Sequence, residues 1–326
     1  EIFAAGGKRL LNQGRVAAMR NGIDNPLTRD LIARVLAAHD GPGTVYHVHG
    51  WAQILSPALF EALKPVASRT FVHAHDMFLA CPNGVFMDYP QNAVCARTPL
   101  SLSCALRNCD KRSYVHKLWR LARQRNLKRF FRADDGWAGV FNIHPDMIPR
   151  LSRAGYPTSF FATVRNPATP FASQRITAED NAALVYVGRL EEDKGVMDLA
   201  RAAERRNVPV IFVGDGPMRD SLNSSGFETT GWLDRGQIAT HISNCRALIM
   251  PSHHPEPFAL VLAEAIGSGL PVAVSNTALM ASEIRSMGLG FEFDVHNPKD
   301  VDQALDRFMS MPRAELKTMS ETAFAN

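Results

Sequence analysis

The sequence of 326 residues has no uninterrupted apolar run of about 18 residues, the length that a membrane-spanning helix requires. It also has no signal-peptide pattern at its start and no low-complexity tract. These absences argue against a membrane span and against secretion, and they favour a globular cytoplasmic protein. The length allows two domains of roughly 150 residues each. Because the chain starts at Glu1 rather than at Met, we expect elements of the complete protein to be missing.

Cysteine is scarce, and four of the five cysteines are bunched in one turn-rich segment. These four are Cys81, Cys95, Cys104 and Cys109. In a chain without an export signal we expect reduced thiols rather than disulfides. Four thiolates are the right number for a structural zinc site, but no C-x₂-C pair is present. The spacing therefore favours buried or loop thiols over zinc, and zinc over disulfides, and no other metal is expected.

Positive charge is modest overall, at a formal net charge of +4, but it is unevenly distributed. Ten cations lie in residues 107–132, where Asp110 is the only acidic residue. A solvated helix face is the first interpretation, and attraction to anionic lipid head groups is the second. The second interpretation predicts a peripheral position at the inner face of a membrane. Because no recognisable nucleic-acid-binding module accompanies the charge, we expect no nucleic-acid partner.

From Ala183 onward, short runs of β-branched and apolar residues alternate with helical patterns. The predicted strands lie at 184–187, 210–213, 247–250 and 272–274. Nearly continuous apolar strands separated by helices indicate a parallel sheet that is covered on both faces. In such doubly wound α/β domains, ligands bind outside the carboxyl ends of the strands.

The first half of the chain shows the same pattern less regularly. Its predicted strands lie at 45–49, 70–75, 137–141 and 160–164. Residues 165–170 are rich in proline and polar residues, and few apolar residues follow as far as Asn181. We therefore predict an N-terminal domain over residues 1–168, a linker over 169–182 and a C-terminal domain over 183–326. These two doubly wound, Rossmann-like domains are expected to face each other across a cleft.

Charged residues follow the strands of the second half at the expected binding edge. Gly188 and Arg189 begin a loop that also contains Lys194, so a guanidinium and an ammonium group can reach one bound diphosphate. Pro257 is expected in the first turn of a later helix, whose N-terminal amides favour an anion. Glu264 lies about two turns further on, in an apolar segment where an acid requires a partner such as a ligand hydroxyl.

Taken together, these motifs resemble glycosyltransferase family 4, the retaining, nucleotide-sugar-dependent enzymes with the two-domain GT-B fold. The resemblance is strongest from Val185 to Phe293. It rests on Gly188-Arg189-Leu190 with Lys194-Gly195, Gly214-Asp215-Gly216-Pro217, Gly231-Trp232-Leu233, Glu256-Pro257-Phe258 through Glu264, and Gly269-Leu270-Pro271-Val272. In the first half, the His75-Asp76 motif followed by Cys81 is similar to a subgroup with a Cys-containing insertion, here about residues 76–112.

The resemblance implies which residues bind the donor. They are Gly188, Arg189, Lys194, Trp232, Phe258, Ala259, Leu260 and Glu264. Arg189 and Lys194 would hold the diphosphate, Glu264 would accept hydrogen bonds from the ribose hydroxyls, and the loop with Trp232 would lie near the base. In this family a glycine is common where Ala259 stands.

The resemblance also implies two catalytic residues. Glu256 would lie beside the transferred sugar, and His75 of the opposite domain would donate to a hydroxyl or relay a proton. Asp76 and His49 are the acceptor-side candidates. A satisfied histidine at a strand end is the structural alternative for His75, and a capping carboxylate is the alternative for Asp76.

The implied function is transfer of a sugar from a nucleotide-diphosphate sugar to an acceptor hydroxyl with retention, and it requires no metal or other cofactor. A glycan or a lipid-linked acceptor, in surface polysaccharide or glycolipid synthesis, fits the family and the basic segment. Two alternatives stay open: a nucleotide-sugar epimerase of the same architecture, and a non-catalytic nucleotide-binding scaffold subunit. The Gly-rich loop that opens the family is matched in composition by Gly6-Gly7, without a preceding strand of useful length.

Overall fold

The computed structural model describes Phe3 and residues 10–326, so the candidate loop Gly6-Gly7 lies outside the described residues. The chain divides into two compact units, the first comprising residues 1–91 and 95–165 and the second comprising the remainder. Each unit contains one parallel sheet. Within the described part of the chain, no helix combines the length and the hydropathy of a membrane span.

The sheet of the first unit has four parallel strands in the order β1-β2-β5-β6. As far as residue 165 the strands are β1 (Tyr46–Val48), β2 (Thr70–Ala74), β3 (Met87–Asp88), β4 (Ala93–Val94), β5 (Gly139–Asn142) and β6 (Phe161–Thr163). The helices are α1 (Arg15–Ile23), α2 (Pro26–His39), α3 (Ala58–Leu63), α4 (Leu102–Leu106), α5 (Tyr114–Phe130) and α6 (Met147–Ser152). The four predicted strands are confirmed in shortened form. Their order runs in one direction, so the described part of this unit lacks the reversal that the predicted doubly wound sheet requires.

The sheet of the second unit has six parallel strands in the order β12-β11-β10-β7-β8-β9. The strands are β7 (Ala183–Val187), β8 (Val210–Val213), β9 (Glu228–Thr229), β10 (Cys245–Met250), β11 (Val272–Ser275) and β12 (Gly290–Phe293). The helices are α7 (Val196–Arg206), α8 (Arg219–Ser224), α9 (Arg235–Ile242), α10 (Leu260–Ile266), α11 (Ala281–Ser286), α12 (Pro298–Ser310) and α13 (Arg313–Phe324). The four predicted strands of this half are confirmed, and β9 and β12 were not predicted.

The strand order of the second unit reverses between β7 and β10. From β7 the chain winds outward through β8 and β9, and from β10 it winds in the opposite direction through β11 and β12. In open α/β sheets the ligand crevice lies outside the carboxyl ends of the two strands at such a reversal. The loops that follow β7 and β10 begin at Gly188 and Pro251, so the charged motifs of the sequence lie at this edge.

The predicted linker differs from the observed structure. The backbone N–H of Ile176 donates to the carbonyl oxygen of Ser268 at 2.9 Å. Both Ile176 and Ala178 are buried in the core of the second unit. Apolar burial therefore fixes most of residues 169–182 on the second unit, and the division between the units falls after Arg165 rather than after residue 168.

Three loops meet at the carboxyl edge of the second sheet because glycine allows their backbones to approach closely. Gly195 has φ +69°, and a Cβ built on it would lie 1.8 Å from the carbonyl oxygen of Pro251. Gly214 has φ +149°, and its Cβ would lie 1.8 Å from the carbonyl oxygen of Gly188. No side chain fits either distance, so these glycines hold the loops after β7, β8 and β10 against one another.

We predict that Gly195→Ala lowers the free energy of unfolding by about 3 kcal/mol or more, because the new methyl group collides with a backbone carbonyl that cannot rotate away. Gly226→Ala is the matched control. Gly226 has φ +84° with nothing within 4 Å of its ideal Cβ, so its substitution should cost only about 1–2 kcal/mol of backbone strain. Urea unfolding of the three proteins measures the difference. Equal losses for the two variants would contradict the steric account.

Candidate active site

Arg189 and Lys194 both lie in the loop that follows β7. Arg189 is exposed, at 67% for its side chain, and its guanidinium pairs with the carboxylate of Glu191. The hydroxyl of the buried Tyr186 donates to the carbonyl oxygen of Arg189 at 2.8 Å, which fixes the backbone just after the strand. The backbone of Arg189 is therefore fixed, while its guanidinium group is accessible to an anionic ligand.

Lys194 and Glu256 form an ion pair that joins the loops after β7 and β10. Their side chains are only 14% and 19% exposed. The Nδ1 atom of His254 lies 3.6 Å from the same carboxylate. Burial lowers the pKa of His254, and the charges of Lys194 and Arg189 lower it further, while Glu256 opposes them. Lys194, Glu256 and His254 thus lie together, although the resemblance assigned Lys194 and Glu256 to different parts of the donor.

The helix that follows β10 begins later than the sequence predicts. Helix α10 covers seven residues, Leu260–Ile266, with Ala259 as its N-cap. The prediction that Pro257 lies in its first turn is wrong, since Pro257 and Phe258 lie in the irregular segment before the helix. The carbonyl oxygen of Ala259 accepts the first helical bond, from the N–H of Leu262 at 3.0 Å. The donor-binding candidates Phe258 and Ala259 therefore precede the helix, and Leu260 is its first residue.

Glu264 has a protein partner that the sequence did not reveal. An Nη1 atom of Arg235 lies 2.5 Å from Oε1 of Glu264. The guanidinium of Arg235 also donates to the carbonyl oxygen of Pro170 at 3.0 Å and lies 4.9 Å from the ring centroid of Phe171. This ion pair explains how the apolar helix α10 tolerates a carboxylate. The signal for it was present in the capping box that begins α9, which fixes the position of Arg235 as the first helical residue.

Trp232 is 80% exposed and follows β9. The preceding residue, Gly231, has φ +73° and forms an isolated bridge with Gly214. This bridge ties the Trp232 loop to the loop after β8. A flat aromatic side chain thus stands in solvent at the same edge of the sheet as the charged loops.

The remaining sequence candidates lie in the first unit. His75 is exposed just after β2, and its Nε2 atom lies 2.9 Å from Nδ1 of His49. Burial raises the pKa of Asp76 to about 6, against the opposing effects of the Phe78 N–H and the charge of Arg123. The Oδ1 atom of Asp76 accepts the N–H of Phe78 at 2.9 Å, which is the capping role that the sequence left open.

The four bunched cysteines are buried and line one small cavity. The ammonium of Lys117, itself buried, donates to Cys104 at 3.4 Å and to Cys109 at 3.2 Å. All four cysteines are buried, and none forms a disulfide. Among the described residues, the group with the mutual distances of metal ligands consists of histidines instead: His47, His49 and His73.

The basic segment presents less charge than its composition indicates. Lys117 and Arg123 are buried, and the guanidinium of Arg123 lies 5.2 Å from the ring centroid of Trp51. Arg120 pairs with the buried Asp110 at 2.6 Å. The single solvated face of ten cations is therefore wrong, because amphipathic packing turns part of helix α5 and its charges inward.

We predict that Lys194 and Glu256 are energetically coupled by about 1–2 kcal/mol, between the values for exposed and for buried ion pairs. A double-mutant cycle of Lys194→Met, Glu256→Gln and the double variant, followed by urea unfolding, measures this coupling. The exposed pair of Arg313 and Asp180 is the control and should give less than about 1 kcal/mol. Additive losses at Lys194 and Glu256 would contradict the pairing.

Comparison with known proteins bears mainly on the second unit. Residues 170–325 match the family described as Glycosyl transferases group 1. An uncharacterized glycosyltransferase of Methanocaldococcus jannaschii is 28% identical over 144 residues, which cover 40% of this chain and 37% of that protein. The glycogen synthase of Mycobacterium tuberculosis is 35% identical over 120 residues, which cover 33% of this chain and 28% of that protein. The alignments thus span only about a third of these relatives.

Solved structures extend the comparison to the whole fold. Anabaena HepE in complex with UDP superposes with a TM-score of 0.63 at 16% identity, covering 96% of this chain and 79% of that one. Sucrose-phosphate synthase of Thermosynechococcus elongatus gives the same TM-score at 16% identity, covering 92% of this chain and 72% of that one. Residues 170–325 thus match Glycosyl transferases group 1, within a chain that has the parallel-sheet α/β fold of GT-B glycosyltransferases.

Proposed function

We propose that the chain transfers a sugar from a nucleotide-diphosphate sugar to an acceptor hydroxyl, with retention at the anomeric carbon. The observation that carries this proposal is that the ion pair of Lys194 with Glu256 joins the two loops at the strand reversal between β7 and β10, with Arg189 on the first of these loops, inside the segment that matches the family. A strand reversal of this kind supplies the crevice, and the two cations supply the charge that a diphosphate needs. The donor complexes of Anabaena HepE, which hold UDP or UDP-glucose, support a nucleotide sugar as the donor class.

In this proposal Lys194 exchanges partners when the donor binds. Without a donor, its charge is compensated by Glu256. A diphosphate entering beside Arg189 offers more negative charge and more acceptor atoms than one carboxylate, so the ammonium turns towards it. Glu256 is then released to accept hydrogen bonds from the hydroxyls of the transferred sugar. One exchange thereby prepares both ends of the donor site.

Glu264 holds the ribose in the same proposal, and Arg235 orients the Glu264 carboxylate. A carboxylate held on one side by a guanidinium has a second oxygen to accept the ribose hydroxyls. Exposed Trp232 offers a stacking surface for the base.

The transfer step needs the departing phosphate to be stabilised while the acceptor hydroxyl loses its proton. Arg189 and Lys194 stabilise the leaving diphosphate electrostatically, without a metal ion. Its oxygen can take the acceptor proton on the same face of the sugar, which preserves the anomeric configuration. In this scheme His75, with Asp76 and His49 beside it, contacts the sugar or the acceptor.

A sugar transfer explains the residues better than the two alternatives. The relatives reported above carry the names of glycosyltransferases or synthases, and none is named an epimerase. A non-catalytic scaffold would bind nucleotide but leave the donor sugar intact. Turnover of the donor therefore separates the scaffold from the enzyme.

We further propose that the acceptor is presented at an anionic membrane surface. Four large apolar side chains on α4 and α5 are exposed by 48–75%. They are Leu102, Leu106, Val115 and Leu118. The exposed cations Lys111 and Arg112 lie between the two helices in sequence. These six residues, here called the apolar-basic surface, offer the exposed apolar area and the positive charge that interfacial binding requires. They replace the wider basic face, and they suit a lipid-linked acceptor in surface polysaccharide or glycolipid synthesis.

The donor assignment predicts selective losses of nucleotide affinity. A thermal-shift screen of nucleoside diphosphates first identifies the preferred base. Calorimetry should then show that Arg189→Ala and Lys194→Ala each weaken that nucleotide about tenfold or more, because each removes a charge-assisted contact to phosphate. Glu264→Gln should lower the affinity for the nucleotide but leave the affinity for inorganic diphosphate unchanged, since only the nucleotide carries ribose.

Arg206→Ala provides the matched control, since Arg206 is an exposed arginine paired with Asp306 on the helical surface of the same unit. Its nucleotide affinity should equal that of the unchanged protein. If Arg189→Ala and Lys194→Ala bind the nucleotide as tightly as the unchanged protein does, the diphosphate assignment is wrong. With the cognate donor sugar, NMR should detect a product of the same anomeric configuration. An inverted product would contradict the proposed transfer step.

The apolar-basic surface predicts salt-sensitive binding to anionic vesicles. Sedimentation with phosphatidylglycerol-containing vesicles at low salt should recover the protein, and Leu102→Glu with Leu106→Glu should abolish recovery by adding charge to the apolar contact. Met287→Glu, which changes a side chain that is 42% exposed in the second unit, should have no effect. Absence of vesicle binding at low salt would return the segment to a solvated helix surface.

A further inference from the structure

Three histidines project from one face of the first sheet. His47 lies in β1, and His49 follows two residues later on the same face because side chains alternate along a strand. Val48 pairs with Val72 of β2 in parallel register, so His49 stands beside His73. The ring centroid of His49 lies 4.1 Å from that of His47 and 4.9 Å from that of His73. The sheet register thus brings the three rings together.

One ring nitrogen from each of the three histidines lies within 4.8 Å of the others. A tetrahedral ion with bonds of about 2.0–2.1 Å to nitrogen needs ligand atoms about 3.4 Å apart. His73 is buried and fixed in β2, whereas His47 and His49 are exposed and can rotate. Small side-chain rotations of His47 and His49 therefore close the remaining distance without backbone movement.

His73 has the hydrogen bonding of a metal ligand. Its Nε2 atom lies 3.2 Å from the carbonyl oxygen of Val164, so that nitrogen carries the proton. Its Nδ1 atom is buried and has no hydrogen-bond partner among the described residues. A buried lone pair without a donor is unfavourable unless something else binds it. A backbone carbonyl that fixes one imidazole nitrogen, and leaves the other to ligate, is the usual support of a histidine in a metal site.

His49 is supported in the same way from the neighbouring residue. Its Nδ1 atom is 2.9 Å from Nε2 of His75, which leaves Nε2 of His49 to face a ligand. In both His49 and His73, therefore, one ring nitrogen contacts the protein and the other is available to bind a metal ion. The ligands come from β1 and β2 and the residue that follows β1. The supporting hydrogen bonds come from His75 and from the carbonyl oxygen of Val164, the residue that follows β6.

We propose that His47, His49 and His73 bind one divalent transition-metal ion, with Zn²⁺ as the best-fitting ion. Three imidazoles suit zinc and its neighbours in the series, whereas Mg²⁺ and Ca²⁺ prefer oxygen ligands. Water or an exogenous ligand completes the coordination. This assignment is independent of the donor site in the second unit, and it differs from the cysteine site that the sequence suggested.

The ion would also orient His75. With Nε2 of His49 on the metal, Nδ1 of His49 must carry its proton and donate it to Nε2 of His75. The metal therefore sets the direction of that hydrogen bond and makes His75 the acceptor. His75 is therefore a residue that the metal positions through His49. Metal binding can be measured separately from donor binding, because the donor site lies in the second unit.

Isothermal titration of the metal-free, full-length chain with Zn²⁺ tests the site. We expect one equivalent to bind, and His47→Ala and His49→Ala, both at exposed positions, each to weaken binding by more than about tenfold. His116→Ala removes an exposed histidine of α5 and should leave binding unchanged. Circular dichroism of each variant checks that the fold is intact, and Mg²⁺ titrated in place of zinc should give no heat of binding.

Cobalt substitution distinguishes the histidines from the cysteines. Co²⁺ held by imidazoles should give visible d–d bands without the intense near-ultraviolet band of a thiolate complex. A thiolate band that disappears in Cys104→Ser would overturn the assignment in favour of the cysteine cavity. Unaltered zinc affinity in folded His47→Ala and His49→Ala would overturn it as well, as would the absence of binding to the unchanged chain.

Discussion

The close approach of backbone to backbone at the carboxyl edge of the second sheet is the constraint on which its site depends. Gly195 and Gly214 leave no room for a side chain between the loops that follow β7, β8 and β10. Because these loops touch through main-chain atoms, their relative positions do not depend on flexible side chains. Arg189 and Lys194 are carried by one of the loops and Glu256 by another. Their spacing is therefore determined by the sheet and by the absence of two methyl groups.

Periodic apolar segments made the sheet of the second unit predictable. Strands β7, β8, β10 and β11 are nearly continuous runs of apolar residues, and burial on both faces is the direct cause of such runs. Strand β9 has two residues, too few to display a period, and β12 begins at Gly290, which local propensity disfavours. The sequence therefore predicted the central strands of the sheet but not its two edge strands, β9 and β12.

The site was predictable in its residue types but less so in its pairings. Arg189, Lys194 and Glu256 were identified as charges at strand ends, yet the ion pair between the last two joins residues 62 positions apart, which no local pattern reports. The capping box locates Arg235 at the start of α9, but its pairing with Glu264, 29 positions away, is likewise a contact that no local pattern reports. The start of α10 was misjudged because a proline that suits a first turn also suits the turn or loop before a helix. Long-range contacts, rather than local propensity, account for each of these differences.

The pairing of Lys194 with Glu256 also sets a threshold for the binding of anions at the proposed donor site. An anion that enters must compete with a carboxylate that is already in place and already partly desolvated. A small anion of single charge gains little more from the ammonium than Glu256 does, so its exchange is nearly neutral and its occupancy stays low. A diphosphate carries enough charge to engage Arg189 as well and can displace the carboxylate. In the proposed site the ion pair would therefore disfavour inorganic phosphate, because it keeps the ammonium of Lys194 neutralised until a ligand with two phosphates arrives.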